Sequence, residues 1–155
     1  MHTYQLSLPS FEHTLEFGQK IAKLFENTTS LILLSGDLGA GKTTFSQGFL
    51  KQLMPNQVIT SPTYSYMNMY EALSPIFHFD LYRISSQEDL EELGLWEHLL
   101  DKRVMRLVEW PEHALGLEQY ADMHLHFDIK KCSRDVRITY LKSIEALLDT
   151  CNIGC

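Results

Sequence analysis

Positive charge is scarce in this chain: 13 lysines and arginines stand against 20 aspartates and glutamates in 155 residues, a net charge of −7. Such a surface repels phosphate backbones, which argues against a protein that holds nucleic acid by itself and favours a protein partner. Cysteine is also sparse. Cys132, Cys151 and Cys155 are an odd number, which excludes a fully paired disulfide framework, and they read as free thiols. Cys151 and Cys155 near His124 and His126 lack structural-zinc spacing, and His124-Leu125-His126 suits an ordinary strand. No apolar run approaches the ~20 residues needed to cross a bilayer. Met1-His2-Thr3-Tyr4 lacks the basic-then-apolar profile of a signal peptide. The expectation is a cytoplasmic protein without a membrane partner. With no internal repeat, low-complexity stretch or linker, residues 1–155 are expected to form one domain.

What is present is concentrated in Gly36–Thr43, Gly-Asp-Leu-Gly-Ala-Gly-Lys-Thr, directly after the apolar run Leu31-Ile32-Leu33-Leu34. That is the spacing of a phosphate-binding loop feeding from a strand into a helix, and it implies a nucleoside triphosphate ligand. Gly36, Gly39 and Gly41 permit backbone conformations closed to other residues, so loop N–H groups from Gly36, Asp37, Leu38, Gly39, Ala40 and Gly41 can approach phosphate oxygens. The N-terminus of the following helix adds to the anion site. In this pattern Lys42 reaches the β- and γ-phosphates, Thr43 ligates Mg²⁺, and Thr44 touches the α-phosphate from the first helical turn. Neither an Asn-Lys-x-Asp motif nor an Asp-x-x-Gly segment occurs. Adenine is therefore favoured over guanine.

The rest of the chain reads as strands separated by helices. Tyr4, Leu6 and Leu8 alternate as in a half-buried strand, and Pro9-Ser10 starts a helix from Phe11 to about Asn27. Leu31–Leu34 reads as a central parallel strand and Lys42–Leu53 as the next helix. A short strand is expected at Val58-Ile59, and a second alternating stretch begins at Tyr64 and Tyr66. Strands at Ile76–Asp80 and Val104–Glu109 flank one helix carrying Leu90, Leu93, Leu95, Trp96 and Leu99, either core or docking surface. Ala121–Lys130 and Arg134–Leu141 form an antiparallel hairpin. The expected fold class is α/β, a mostly parallel sheet flanked by helices and wound on both faces, with ligands at the carboxyl ends of its strands.

A phosphate-binding loop needs a further carboxylate on a neighbouring strand. Asp80 and Glu109, each ending an apolar run, compete for that task. Thr60-Ser61-Pro62-Thr63 is a candidate γ-phosphate-sensing segment or a plain proline turn. Trp110 either stacks near the nucleotide or packs on the core. Arg83, Arg106 and Arg134 are candidates for a phosphate or base contact, with solvated arginine as the alternative. His78 reads as the other face of a strand.

Taken together, Gly36–Thr44, Ser61-Pro62-Thr63-Tyr64, His78-Phe79-Asp80-Leu81-Tyr82-Arg83 and Val108-Glu109-Trp110-Pro111-Glu112 resemble the TsaE (YjeE) family of bacterial P-loop ATPases. The resemblance implies an ATPase that acts with TsaB and TsaD in forming threonylcarbamoyladenosine at position 37 of tRNA, and that touches tRNA only through that complex. It implies that Lys42 and the loop amides bind the phosphates of ATP, that Thr43 and Glu109 hold Mg²⁺, and that Asp80 positions or activates water. By the same resemblance Arg134 contacts the nucleotide, and the start of the first helix near Phe11 meets the adenine. A small-molecule kinase is the alternative activity, although no arginine-bearing lid is visible. A nucleotide-gated binding module that hydrolyses ATP slowly is a third reading.

Overall fold

The run Leu31–Gly36 has no polar side chain until Ser35, and it forms a strand, β2, in which every residue is buried. The computed structural model describes residues 1–150 and surrounds β2 with parallel neighbours on both sides. Strands β1 (His2–Leu8), β3 (Met67–Tyr70), β4 (Ile76–Asp80), β5 (Met105–Glu109), β6 (Met123–Ile129) and β7 (Arg134–Tyr140) complete a seven-stranded sheet in the order β1-β7-β6-β2-β5-β4-β3. Pairing is parallel through β6, β2, β5 and β4. It is antiparallel at both edges, where β7 and β1 extend one side and β3 the other.

The period-2 pattern of β2 divides the core. Ile32 and Leu34 pack with Phe17, Ile21, Phe45 and Phe49 from helices α1 (Phe11–Phe25) and α2 (Lys42–Leu53). Leu31 and Leu33 face the other way, against Phe79, Leu90, Leu99 and Leu117. Ser10 starts α1 by accepting a hydrogen bond from the His13 N–H, which meets one of the unpaired donors of the first turn.

Helices α1 and α2 pack closely because glycine stands where they meet. A Cβ built on Gly48 would press into the Leu15 carbonyl, and one on Gly18 into the carbonyl of Phe45. Gly48→Ala is therefore expected to force the helices apart and to destabilise the fold by about 1–3 kcal/mol. Thermal unfolding is the check, with Tm falling by roughly 3–10 °C; an unchanged Tm would show that the helix pair yields freely.

Several expectations are corrected. The segment expected as one helix is two, α3 (Gln87–Glu92) and α4 (Leu95–Leu99), because Gly94 adopts a left-handed φ of +68° between them. Leu90, Leu95 and Leu99 are core, whereas Leu93 is exposed. Val58-Ile59 forms no strand, and Tyr66, at φ +65°, delays the next strand to Met67. Helix α1 ends at Phe25, short of Asn27, whose φ is +62°. A further helix, α5 (Lys142–Thr150), lays Ile144 and Leu148 on the α1/α2 side of the core. Cys132 is exposed and free, while Cys151 and Cys155 lie outside the described residues. No described helix is long and apolar enough to cross a membrane.

Candidate nucleotide and metal site

The carboxyl end of β2 turns sharply at Gly36, whose φ is +130° and where a Cβ would collide with the Phe127 carbonyl. Two further left-handed positions, Gly39 at +79° and Gly41 at +119°, carry the loop into α2. Nothing lies within 4 Å of where a Cβ on Gly39 would stand, so this part of the loop faces open space. Beside Gly41 the Arg134 Cδ lies 3.1 Å, and the Thr14 Cγ2 3.4 Å, from the corresponding Cβ position. Arg134 thus reaches the loop from β7, and the first turns of α1 reach it through Thr14.

Lys42, the first residue of α2, is 4% exposed. Its Nζ donates to the carbonyls of Gly36 and, at 3.0 Å, Asp37, and it lies 4.0 Å from the centroid of the Trp110 ring. Burial pulls this ammonium below the ordinary lysine range, and the carboxylates of Glu109, Glu112, Asp80 and Asp37 act against that. The loop amides are not all free: the Ala40 N–H donates to the Asp37 carbonyl at 3.0 Å, and Ala40 is fully buried.

Parallel pairing of β4 with β5 sets Asp80 directly beside Glu109 at the carboxyl edge of the sheet. Their surroundings differ. Glu109 is 1% exposed, and its Oε2 accepts from the Thr43 hydroxyl at 3.1 Å. Its Oε1 accepts from Ser46 Oγ at 2.8 Å and lies 2.9 Å from His78 Nε2. Burial pushes the Glu109 carboxyl up, but the bonds from His78, Ser46 and Thr43 outweigh it and hold the group below the ordinary glutamate range. Asp80 instead accepts from the Tyr82 N–H at 3.0 Å and from the Thr63 hydroxyl at 3.2 Å. Thr63 thereby ties the Thr60–Thr63 segment to the carboxylate.

Between these groups lies a cleft of about 250 Å³. Lys42, Thr43 and Thr44 from the start of α2 line it together with Asp80 and Glu109 from the strand ends and with Leu38, Tyr82 and Trp110. Thr43 Oγ1 and Glu109 Oε2 are hard oxygen donors side by side, as Mg²⁺ requires, and Mg²⁺ ordinarily keeps several waters besides its protein ligands. No cluster of three or more His, Cys, Asp or Glu capable of holding a metal occurs among the described residues. The residues fit a magnesium-bound nucleotide.

The remaining candidates have different surroundings. Phe11 opens α1 and is half exposed. Arg106 is buried on the opposite sheet face, donating to the carbonyls of Leu99 and Thr29. Arg83 stacks on Tyr64, 4.4 Å from the ring centroid. Trp110, in left-handed backbone at φ +61°, lies over Lys42. Ser46 was not singled out from the sequence, and His78 was read only as the other face of a strand; their contacts with Glu109 emerge from the fold. The available signal was periodicity: His78 precedes Asp80 by two residues on β4 and so shares its face, and Ser46 follows Thr43 by one helical turn.

The sequence matches the family model for threonylcarbamoyl adenosine biosynthesis protein TsaE over residues 8–138. It is 34% identical over 136 residues to the tRNA threonylcarbamoyladenosine biosynthesis protein TsaE of Haemophilus influenzae, covering 84% of this chain and 85% of that one. The Bacillus subtilis protein of the same name is 36% identical over 119 residues, with 76% and 72% covered. Borreliella burgdorferi TsaE is 41% identical over 109 residues, with 70% and 74% covered. In three dimensions the chain resembles the crystal structure of Bacillus subtilis YdiB, with a TM-score of 0.66 and 25% identity over 96% of this chain and 93% of that one. The chain belongs to the TsaE family and takes part in tRNA threonylcarbamoyladenosine biosynthesis.

Proposed function

We propose that the protein binds Mg·ATP in the cleft above Gly36–Thr44, hydrolyses it to ADP and phosphate, and by doing so supports repeated turnover of a TsaB–TsaD transferase. The observation that carries this reading is the pairing of two carboxylates with unlike partners: Glu109 on the Thr43 hydroxyl, Asp80 on Thr63 and the Tyr82 amide. One is committed to the metal position and the other is left to orient water.

In this reading the phosphates lie along the loop where Gly39 faces open space, against its free N–H groups and the start of α2. Lys42 exchanges its bonds to the Gly36 and Asp37 carbonyls for phosphate oxygens, which keeps the buried ammonium paired. Mg²⁺, when bound, neutralises charge on the β- and γ-phosphate oxygens. Thr43 and Glu109 orient toward it from one side. Asp80 holds a water through its carboxylate, and Thr63 reports the state of the cleft by releasing or keeping Asp80. Arg134, beside Gly41, is placed to contact the nucleotide. The net charge of −7 supports a role in which partner proteins, not this chain, carry the tRNA.

Phosphate release from ATP tests the proposal, measured for the protein alone and with TsaB, TsaD and tRNA. A low basal rate that rises at least about tenfold with the partners is the expected result, consistent with conformational steps limiting the isolated protein. Bound ATP without stimulation would overturn the accessory role. Label from the γ-phosphate appearing on a metabolite instead of water would make the protein a kinase.

A further inference from the structure

We infer that His78 is a positioning residue for Glu109: its Nε2–H anchors Oε1 inside the protein, leaving Oε2 to face Thr43 and a divalent cation. The inference rests on the nucleotide-and-metal reading above.

A glutamate side chain has three rotatable torsions, and a carboxylate 1% exposed needs donors to offset its lost hydration. The donors divide unequally between its two oxygens. Thr43, bonded to Oε2, lines the cleft, so an arriving ligand can displace it. The Oε1 partners, Ser46 and His78, are 0% and 2% exposed and lie behind the cleft. Oε1 is therefore the inward anchor and Oε2 the outward ligand.

Of the two anchors, His78 is the dedicated one. The single Ser46 hydroxyl proton is divided between Glu109 Oε1 at 2.8 Å and the Lys42 carbonyl at 3.0 Å. The His78 ring has no such competition. An acceptor-only carboxylate requires the proton on Nε2, and Nδ1 has no partner among the described residues. An orphaned buried nitrogen costs stability that phenylalanine at the same place would avoid. Among the described residues the bond to Glu109 is the one side-chain polar contact that accounts for histidine there.

The test is Mn²⁺ binding to the full-length protein with ADP, followed by electron paramagnetic resonance. Partners that orient a metal ligand typically contribute 10–100-fold in metal affinity, so His78→Leu is expected to weaken Mn²⁺ binding about tenfold. ADP affinity measured without metal stays within about twofold, because the phosphate-loop amides and Lys42 are untouched. His78→Gln restores most of the metal affinity, because its amide N–H reaches the position of Nε2. A merely structural histidine would not give this pattern. Folded His78→Leu protein with wild-type Mn²⁺ affinity overturns the inference. Should His78→Leu not fold, His78→Gln against His78→Asn decides: the shorter amide cannot reach Oε1, and equal affinities would overturn the assignment. Wild-type protein that binds ADP but no Mn²⁺, or neither, instead overturns the underlying nucleotide-and-metal reading and involves no variant.

Discussion

Lys42→Ala is expected to reduce ATP hydrolysis by at least about 100-fold and to weaken ATP binding by a similar factor, since each fixed charge aimed at developing phosphate charge contributes several kcal/mol. The structure makes this the most exposed dependency of the site. Lys42 is the cation held inside the cleft, its ammonium destabilised by burial and retained by two loop carbonyls and four nearby carboxylates. Removing it leaves Asp80 and Glu109 facing incoming phosphates without the buried ammonium that offsets them. The apo fold should suffer less, because the Gly36 and Asp37 carbonyls then open to water in the cleft. Calorimetric titration with ATP and phosphate release measure the two effects, and thermal unfolding separates them from misfolding. Lys42→Arg is not expected to rescue, since a planar guanidinium cannot replace a compact ammonium beneath the Trp110 ring. Wild-type affinity in Lys42→Ala would show that the loop amides alone hold the phosphates.

How much of this was legible in the sequence depended on whether the signal was local. The loop glycines and the apolar run before them are local, so β2, the turn and α2 fall where their chemistry requires. The alternation in Met123–Ile129 and Arg134–Tyr140 likewise specified the hairpin, because a strand with one buried face must alternate. Asp80 and Glu109 were visible as strand-ending carboxylates, and parallel register then set them side by side. Contacts that exist only after folding were illegible. The Oε1 anchor joins β4, β5 and α2, across 31 and 63 residues of sequence; Ser46 lies in no motif, and the motif that contains His78 does not say which group its ring meets. Leucine spacing suggested one continuous helix across residues 85–99, but a left-handed Gly94 breaks it so that both halves can lay leucines on the sheet. Val58-Ile59 has the β-branched composition of a strand yet forms none: the backbone that follows, at Thr60, bonds to the side chains of Tyr70 and Asn68 on β3 and not to a strand backbone.

The second large effect is expected at Asp80, and the choice of substitution carries the argument. Asp80→Asn keeps the shape and retains an acceptor for the Tyr82 N–H, so the loop after β4 should stay in place. It removes the negative charge needed to hold and polarise a water. General-base and water-orienting groups contribute about 10²–10⁴-fold, so partner-stimulated hydrolysis should fall by roughly 1,000-fold while Mg·ATP affinity changes by no more than about threefold. That split, with binding kept and turnover lost, separates Asp80 from Lys42, whose removal takes both, and from Glu109, whose Glu109→Gln variant should first raise the Mg²⁺ concentration required. Asp80→Ala is the weaker test, because it also frees Thr63 and so disturbs the Thr60–Thr63 segment. If Asp80→Asn hydrolysed ATP at the wild-type rate, the water would have to be oriented by another group on the cleft wall, and Thr63, the remaining hydroxyl beside that carboxylate, would be the next residue to replace.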